Sequence, residues 1–285
     1  MGRMHRTRAA AGQRSLGRWG SRPPTLTGRA DLHVHSRWSD GAQEPEAIVL
    51  AAAGRLDVLA LTDHDETRGA VAARAFARAH PELGVDVIIG EEISTRNGHL
   101  IGLFLEECVA PRLPAERAIE LIRAQDGLAI AAHPFHPMNV RERGARPLCT
   151  LVPDLPLDAI EVVNNAGFFS ALYDGRAALH NVEWGLPVTA GSDAHDVWYL
   201  GSAITRFNGR GAGDLRATLL AGRTRPLVRW RWTADKAPRH LVLQLQSLLR
   251  FLVRCRTARR VSPAPVARVA AMVFGGRHRV LAGPG

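Results

Sequence analysis

The sequence predicts an α/β protein built on a largely parallel sheet. Short apolar runs alternate with helical segments at a spacing of roughly 30 residues, the rhythm of βα units. Nearly every apolar run stops at a His, Asp or Glu. With 285 residues, 46% of them hydrophobic and 22% charged, the chain can bury a sizeable core.

The first strand is read at Leu32–Val34, inside the stretch Ala30–Gly41 (ADLHVHSRWSDG). It carries His33 and His35 at alternate positions, which share one face of a strand. Asp31 lies beside them and Asp40 follows in a polar loop. Glu44-Pro45-Glu46 opens a helix reaching about Gly54, with acids in its first turn and Gly at its end. Asp57–Thr62 reads as a buried strand running into Asp63-His64-Asp65, and Glu66–His80 as an Ala/Arg helix stopped by Pro81. Val85–Ile89 is a β-branched strand ending in Gly90-Glu91-Glu92. Leu100–Leu105 starts right after His99, and Asn97-Gly98 predicts a hairpin between these two strands, a break in the βα rhythm.

Pro114–Gln125 is a helix with Ile119 and Ile122 inward, followed by a strand, Leu128–Ala132, that ends in His133-Pro134. A Pro/Arg-rich loop over 135–157 is long enough to suggest function. Strand Ala159–Val163 ends in Asn164-Asn165, and a helix over Ser170–Trp184 leads to Pro187–Ala190 and then Gly191-Ser192-Asp193-Ala194-His195. A short strand, Ser202–Thr205, and a helix near Asp214–Ala221 complete the body. Residues 1–29 read as a disordered basic leader, and 223–285 as a basic extension whose stretch His240–Val253 is an amphipathic helix. That helix suits either the open side of the body or an acidic partner or membrane surface.

The formal charge of +10 hides an asymmetry. Residues 1–30 carry seven arginines and no acid, and residues 223–285 carry fourteen Lys+Arg against Asp235 alone, which leaves −10 for the stretch between them. An acidic body between basic ends suits bound divalent cations, which offset that acidity. Three scattered cysteines, Cys108, Cys149 and Cys255, argue against a disulfide framework and for a reducing, cytoplasmic setting. No run approaches the ~18 apolar residues of a membrane span, and the basic N-terminus lacks the apolar segment of a secretory signal.

His33/His35, His64, Glu92, His133, Asp193 and His195 all fall where an apolar run ends, and His99 joins them if the hairpin forms. In parallel α/β barrels the carboxyl ends of the strands converge on one face, so strands far apart in sequence deliver these groups to one pocket. A single His on a strand is more often a core or surface residue; the joint pattern points to metal ligation.

The segments DLHVHSRWSDG, LTDHD, GEEIST, GHLIG, AHP and GSDAH together resemble the polymerase and histidinol phosphatase (PHP) superfamily, over roughly Ala30–Phe207, most of all its small stand-alone phosphoesterases. The resemblance implies an irregular seven-stranded β/α barrel holding two to three divalent ions. It implies that His33, His35 and Asp193 hold the first ion and that Glu92 bridges it to a second, held also by His99 and His133. It also implies that Asp40, His64 and His195 hold a third. Asp40 stands where some members use His, which tilts that site toward Mn²⁺ or Fe²⁺ rather than Zn²⁺. Gly-x-Glu spacing favours Glu92 over Glu91 as the bridge, and strand alternation sends Glu91 to the other face. Asp63 and Asp65 read as partners that orient imidazoles, or as turn and cap residues. Amidohydrolases also begin with His-x-His on a barrel strand, but many bridge two metals with a carboxylated lysine, and the only lysine here is Lys236, placed outside the barrel.

Clustered divalent ions generate hydroxide near neutral pH and clamp phosphoryl oxygens. The expected activity is hydrolysis of a phosphate ester of a small metabolite or nucleotide by a metal-activated hydroxide. Arg37, His136 and Arg141 are candidates for holding the remaining phosphate oxygens. Only one helix separates Leu105 from Leu128, so the insertion that some nucleotide-specific relatives carry is not expected. The alternatives are a nuclease whose Arg-rich ends grip a polyanion, and a metal-stabilised binding module without turnover.

Overall fold

A computed structural model describes residues 25–230 except 138, 140, 168 and 169, together with 242, 245, 246 and 249. The leader up to residue 24 and nearly all of the expected helix over His240–Val253 lie outside the described residues. The strands are β1 (Gly28–Asp31), β2 (Val58–Leu61), β3 (Asp86–Ser94), β4 (His99–Leu103), β5 (Leu128–Ala131), β6 (Ala159–Asn164), β7 (Val188–Gly191), β8 (Ala203–Phe207) and β9 (Arg225–Val228). The helices are α1 (Pro45–Ala52), α2 (Arg68–Ala79), α3 (Ala115–Ala124), the single turn α4 (Leu148–Leu151) inside the long loop, α5 (Ser170–Trp184) and α6 (Ala212–Leu220).

The strands form one sheet in the order β7-β6-β5-β4-β3-β2-β1-β8-β9, a nearly closed barrel of mixed α/β class. The described strands number nine rather than the expected seven. β9, past residue 222 in a stretch that composition had marked as an extension, pairs antiparallel with β8. β1, β2 and β3 run parallel, as do β5, β6 and β7; β4 runs against β3 and β5. The Asn97-Gly98 hairpin is therefore present, with Gly98 at φ +139° in a conformation only glycine adopts readily. Because β4 is reversed, its first residue, His99, arrives at the end where the parallel strands finish.

How the barrel closes decides where the histidines go. The first ladder stops at Asp31, earlier than Leu32–Val34: β1 pairs with β8 over Gly28–Ala30 and with β2 at Ala30 and Asp31. Beyond it the chain runs on as a bridge: Val34 pairs with Ala194, His35 N–H donates to Ala194 O (2.9 Å) and Asp193 N–H donates to His33 O (2.9 Å). The continuations of β1 and β7 thus meet directly at the carboxyl end. At the other end β8 is wedged between them. The Thr205 hydroxyl donates to Ala190 O (2.9 Å) and accepts from Ala190 N–H (2.8 Å). The Thr224 hydroxyl donates to Val188 O (2.7 Å).

Two apolar layers follow from strand alternation. Ala30, Leu32, Val58, Ala60, Ile88, Ile101, Leu128, Ile130 and Ala159 fill the interior, and Phe207, Leu215 and Leu219 pack with them from β8 and α6. The outer layer sandwiches Val34, Leu59, Leu61, Ile89 and Ile93 against α1, α2 and α3, with Ile119 and Ile122 inward as the periodicity predicts. Each such leucine or isoleucine is worth about 1.5–3 kcal/mol on burial. Leu32 belongs to the interior and Val34, two residues on, to the outer layer. The chain therefore changes face between them, and this turns His33 and His35 inward.

Thr205→Val removes the hydroxyl joining β8 to β7 and leaves the buried Ala190 N–H without that acceptor. We expect a loss of about 1–3 kcal/mol in denaturant unfolding, largely restored by Thr205→Ser; equal stability of the valine variant would contradict this closure.

Candidate metal centre

The expected ligand residues meet at the carboxyl end of the barrel. Glu92 is at the middle of them, 1% exposed. It sits within β3, which continues through the expected strand end because it changes partner: Asp86–Ile89 pair with β2, and Gly90–Ser94 with β4. Its Oε2 lies 3.2 Å from His33 Nε2, 3.3 Å from His35 Nε2 and 3.2 Å from His64 Nδ1. Its Oε1 lies 2.8 Å from His99 Nδ1 and 2.9 Å from His133 Nε2. Five imidazoles from four segments thus surround one carboxylate. Glu91 points the other way, as alternation requires, and accepts from Val109 N–H (2.8 Å) and the Cys108 thiol (3.3 Å). Burial pushes its carboxyl up to about 8.

Asp193 stands opposite Glu92, its Oδ1 3.1 Å from His35 Nε2 and 3.6 Å from both His33 Nε2 and His195 Nδ1. Asp40 Oδ2 is 3.1 Å from His195 Nε2, and Asp40 Oδ1 is 3.7 Å from His35 Nδ1. Among the described residues, four groups bring candidate ligand atoms within 4.8 Å of one another: His35/Asp40/His64/His195, His33/Glu92/His133, His33/His35/Asp193 and His64/Glu92/His99. Between them they contain every His, Asp and Glu named as a ligand from the sequence. His133 (φ +25°) and Asp193 (φ +51°) both sit in the left-handed region, a strain of about 1–3 kcal/mol each that clusters at functional sites.

Whether these donors suit a cation is a matter of geometry. His35 Nε2, His99 Nδ1 and Asp193 Oδ1 are buried and make no hydrogen bond, although carboxylate oxygens or ring nitrogens stand about 3 Å away. Such atoms lie side by side, aimed at shared points, rather than donor to acceptor. An isolated buried polar atom is costly; several converging ones are the arrangement a divalent ion satisfies, and the His/carboxylate set fits Zn²⁺, Mn²⁺ or Fe²⁺.

Charge follows from this crowding. Burial opposes ionisation, yet the carboxylates of Asp193, Glu161 and Glu92 hold His33 well above its ordinary value. Burial works against His35 too, but the carboxylates of Asp193, Glu92 and Asp40 beside it lift it to about 10. His133 is raised against burial by Glu92, and His195 by Asp40. Glu92 and Asp193, despite burial, are pulled well below the carboxylate range by the surrounding imidazoles. His64 goes the other way, lowered by burial.

The structure also places the other residues singled out in the sequence. Asp63 meets no imidazole directly among the described residues: it accepts from Ser36 N–H (2.7 Å), the Ser36 hydroxyl (2.6 Å) and the Ser39 hydroxyl (2.6 Å), the last also 3.5 Å from His35 Nδ1, and so fastens the loop between His35 and Asp40. Asp65 accepts from Ser94 N–H (2.7 Å) and turns the chain at φ +52°. The residue that does meet an imidazole from behind is Glu161, on β6 and 2% exposed, within 3.1 Å of His33 Nδ1. A lone acid at an inward position of the apolar run AIEVVN was its only signal in the sequence. Of the expected phosphate contacts, Arg37 is exposed and ion-paired with Glu44, and Arg141 is exposed and donates to Ala145 O. His136 is half-buried, edge-on to His133 (5.9 Å between ring centroids) and Tyr173 (5.1 Å). Burial, then the neighbouring His133, lowers its imidazole to about 4.

Among the described residues no helix is long and apolar enough to cross a membrane, and Cys108 and Cys149 are free thiols. The model of the PHP domain matches residues 31–152, and a PHP-associated model matches residues 176–224. An uncharacterized protein of Methanocaldococcus jannaschii is 38% identical over 148 residues, 48% of this chain and 81% of that protein. The phosphoribosyl 1,2-cyclic phosphate 1,2-diphosphodiesterase of Eggerthella lenta is 44% identical over 92 residues, 30% of this chain but only 34% of that enzyme. Among solved structures, a two-domain protein of Bacteroides vulgatus containing a predicted PHP-like metal-dependent phosphoesterase superposes with a TM-score of 0.57 at 22% identity, over 70% of this chain and 64% of that one. This last likeness is one of fold.

The shifted groups predict how the metal-free protein responds to pH. His35 adds stability that is full below about 6.5 and lost as pH climbs through about 10, and the other raised histidines, His33, His133 and His195, likewise lose theirs on the alkaline side of about 6.5. The lowered carboxylates add stability present above about 4.5 and lost in acid. Denaturant melts in chelator should therefore give greatest stability between roughly 4.5 and 6.5. Adding a divalent cation at neutral pH should expel protons, seen by calorimetry in buffers of different ionisation enthalpy; a pH-flat melt and proton-neutral uptake would contradict the assigned charges.

Proposed function

The chain belongs to the PHP family, a hydrolase acting on phosphoester bonds, and from that premise we propose that it cleaves a phosphate ester of a small metabolite or nucleotide at a centre of two to three divalent ions. The observation that supports this reading is the ring of five imidazoles on Glu92, closed by Asp193. In this proposal His33, His35 and Asp193 would hold the first ion, Glu92 would serve it and a second together with His99 and His133, and Asp40, His64 and His195 would hold a third. Ions bound there supply Lewis-acid stabilisation of phosphoryl oxygens and a nucleophile available near neutral pH.

The chain's own residues supply position and exclusion of water. The bridge between Val34 and Ala194 fixes His33 and His35 against Asp193, so the first set of ligands comes from two paired backbones. The apolar interior of Leu32, Ile101 and Ile130 seals the site from below and keeps the local dielectric low, which strengthens charge–charge interactions at the bowl. His136, neutral at pH 7, offers a hydrogen bond to a phosphate oxygen or leaving group at the edge of His133. Arg37 is committed to Glu44 and would have to exchange that partner for a phosphate oxygen. The relatives cover different substrates, and the small-substrate reading rests on the chain's short path between β4 and β5, which holds α3 alone as its full helix.

Purified protein assayed on p-nitrophenyl phosphate with Mn²⁺, Fe²⁺ and Zn²⁺ in turn should show metal-dependent turnover. His35→Ala and Asp193→Ala should each lower it on the order of 10²–10³-fold, the scale of losing a group that stabilises transition-state charge. Turnover surviving in both variants would overturn the mechanism; metal binding without turnover of any phosphoester would make the chain a binding module. Activity on a panel of phosphometabolites should change little between roughly 50 and 200 mM salt, whereas a steep fall would indicate a polyanionic substrate.

A further inference from the structure

We propose that Glu161 is the positioning residue of the centre: it fixes the tautomer of His33 and, through Asn164, the aim of Asp193, and so sets the affinity of the first ion site. The inference rests on the reading of His33, His35 and Asp193 as that site's ligands.

Glu161 is buried at an inward position of β6, where an unpaired carboxylate would be expensive. Three donors converge on it. His33 Nδ1 lies 3.1 Å from Oε1 and 3.3 Å from Oε2, the His133 backbone N–H is 2.9 Å from Oε2, and Asn164 Nδ2 is 3.1 Å from Oε2. The same Asn164 amide lies 3.1 Å from Asp193 Oδ2. A carboxylate only accepts, so the proton of a neutral His33 must sit on Nδ1, and its lone pair is left on Nε2, facing Glu92 and Asp193. Metal-binding histidines are commonly oriented by just such a carboxylate behind the ring. The contact with His133 N–H also holds that residue in its left-handed backbone, the strained conformation at the end of β5. One side chain therefore touches His33 and His133 directly and Asp193 at one remove, without itself joining any of the four ligand groups.

The surrounding sequence makes room for it. A Cβ at Gly191 would stand 2.7 Å from Glu161 Oε1 and 2.5 Å from His33 Cβ. The glycine that ends β7 thus leaves the space in which carboxylate and imidazole meet. Glutamine at 161 has the same shape but turns an NH₂ toward donors that need an acceptor, so it cannot satisfy all three.

The test is Zn²⁺ affinity, measured by competition with a chromogenic chelator, for the wild type, Glu161→Gln, Glu161→Asp and Asn164→Ala. Chelated samples are compared by circular dichroism and thermal melting to confirm folding. Glu161→Gln should weaken the first ion by about 10–100-fold, the range for losing an orienting partner. Glu161→Asp should recover part of that loss, and Asn164→Ala should show a smaller one. In ¹⁵N-imidazole spectra of the chelated protein at alkaline pH, His33 should be an Nδ1–H tautomer in the wild type and lose that preference in Glu161→Gln. If Glu161→Gln fails to fold, the Asn164→Ala affinity and the wild-type tautomer decide the matter. Wild-type affinity in Glu161→Gln, or in Asn164→Ala should the glutamine variant not fold, or an Nε2–H His33 in the wild type, would overturn the role of Glu161 alone. A wild type that binds no Zn²⁺, Mn²⁺ or Fe²⁺ would overturn the ligand reading along with it.

Discussion

One carboxylate, Glu92, is ringed by five imidazoles at the carboxyl end of a barrel, and much of the remaining structure is what it takes to keep them there. Imidazoles repel one another when protonated and leave lone pairs unsatisfied when neutral, so crowding them is favourable only around negative charge or a shared cation. Glu92 and Asp193 supply the negative charge. The buried, unbonded nitrogens of His35 and His99 mark where protons and carboxylates do not suffice. The geometry is that of ligands converging on a common centre.

The irregularities of the barrel follow from this demand. A regular eight-fold parallel barrel presents one residue per strand end at even spacing. Here β3 overruns its parallel partner and pairs with the reversed β4, which brings Glu92 and His99 level with each other. The chain after β1 leaves its ladder, changes face and meets the continuation of β7, which places His33 and His35 against Asp193. β8 and β9 then occupy the gap that this meeting leaves lower down, laddered to β1 and to each other but joined to β7 by threonine hydroxyls. Left-handed conformations at His133 and Asp193 are the local strain that such an arrangement stores.

Much of this was legible in the residues. Apolar runs stopping at His, Asp or Glu marked the end of the barrel where the ligands meet, although β1 stops short of its expected end and β3 overruns it; Asn97-Gly98 announced the reversal of β4, and alternation separated Glu92 from Glu91. What escaped was information carried by partners distant in sequence. β9 contains Arg225 and Pro226 and has no alternation of its own; it is a strand only because β8 offers an edge. Asp63 and Asp65 have the right chemistry to support an imidazole, but loop hydroxyls and backbone amides reach them first. Glu161 was hidden by the opposite circumstance, since an acid inside an apolar strand takes its meaning from a histidine 128 residues away. Supporting residues depend on tertiary proximity in a way that a repeated ligand pattern at strand ends does not.

Membership of the PHP family and the grouping of ligands converge on phosphoester hydrolysis, and the claim beneath both is that cations occupy the bowl around Glu92. Anomalous diffraction from crystals of the purified protein, recorded at the absorption edges of Mn, Fe and Zn, addresses this most directly. The account predicts at least two peaks about 2.0–2.3 Å from ligand atoms of His33, His35, Asp193, Glu92, His99 and His133, with Glu92 shared between them. Crystals grown with those metals that show no anomalous density there, or density only at other surfaces, would contradict it.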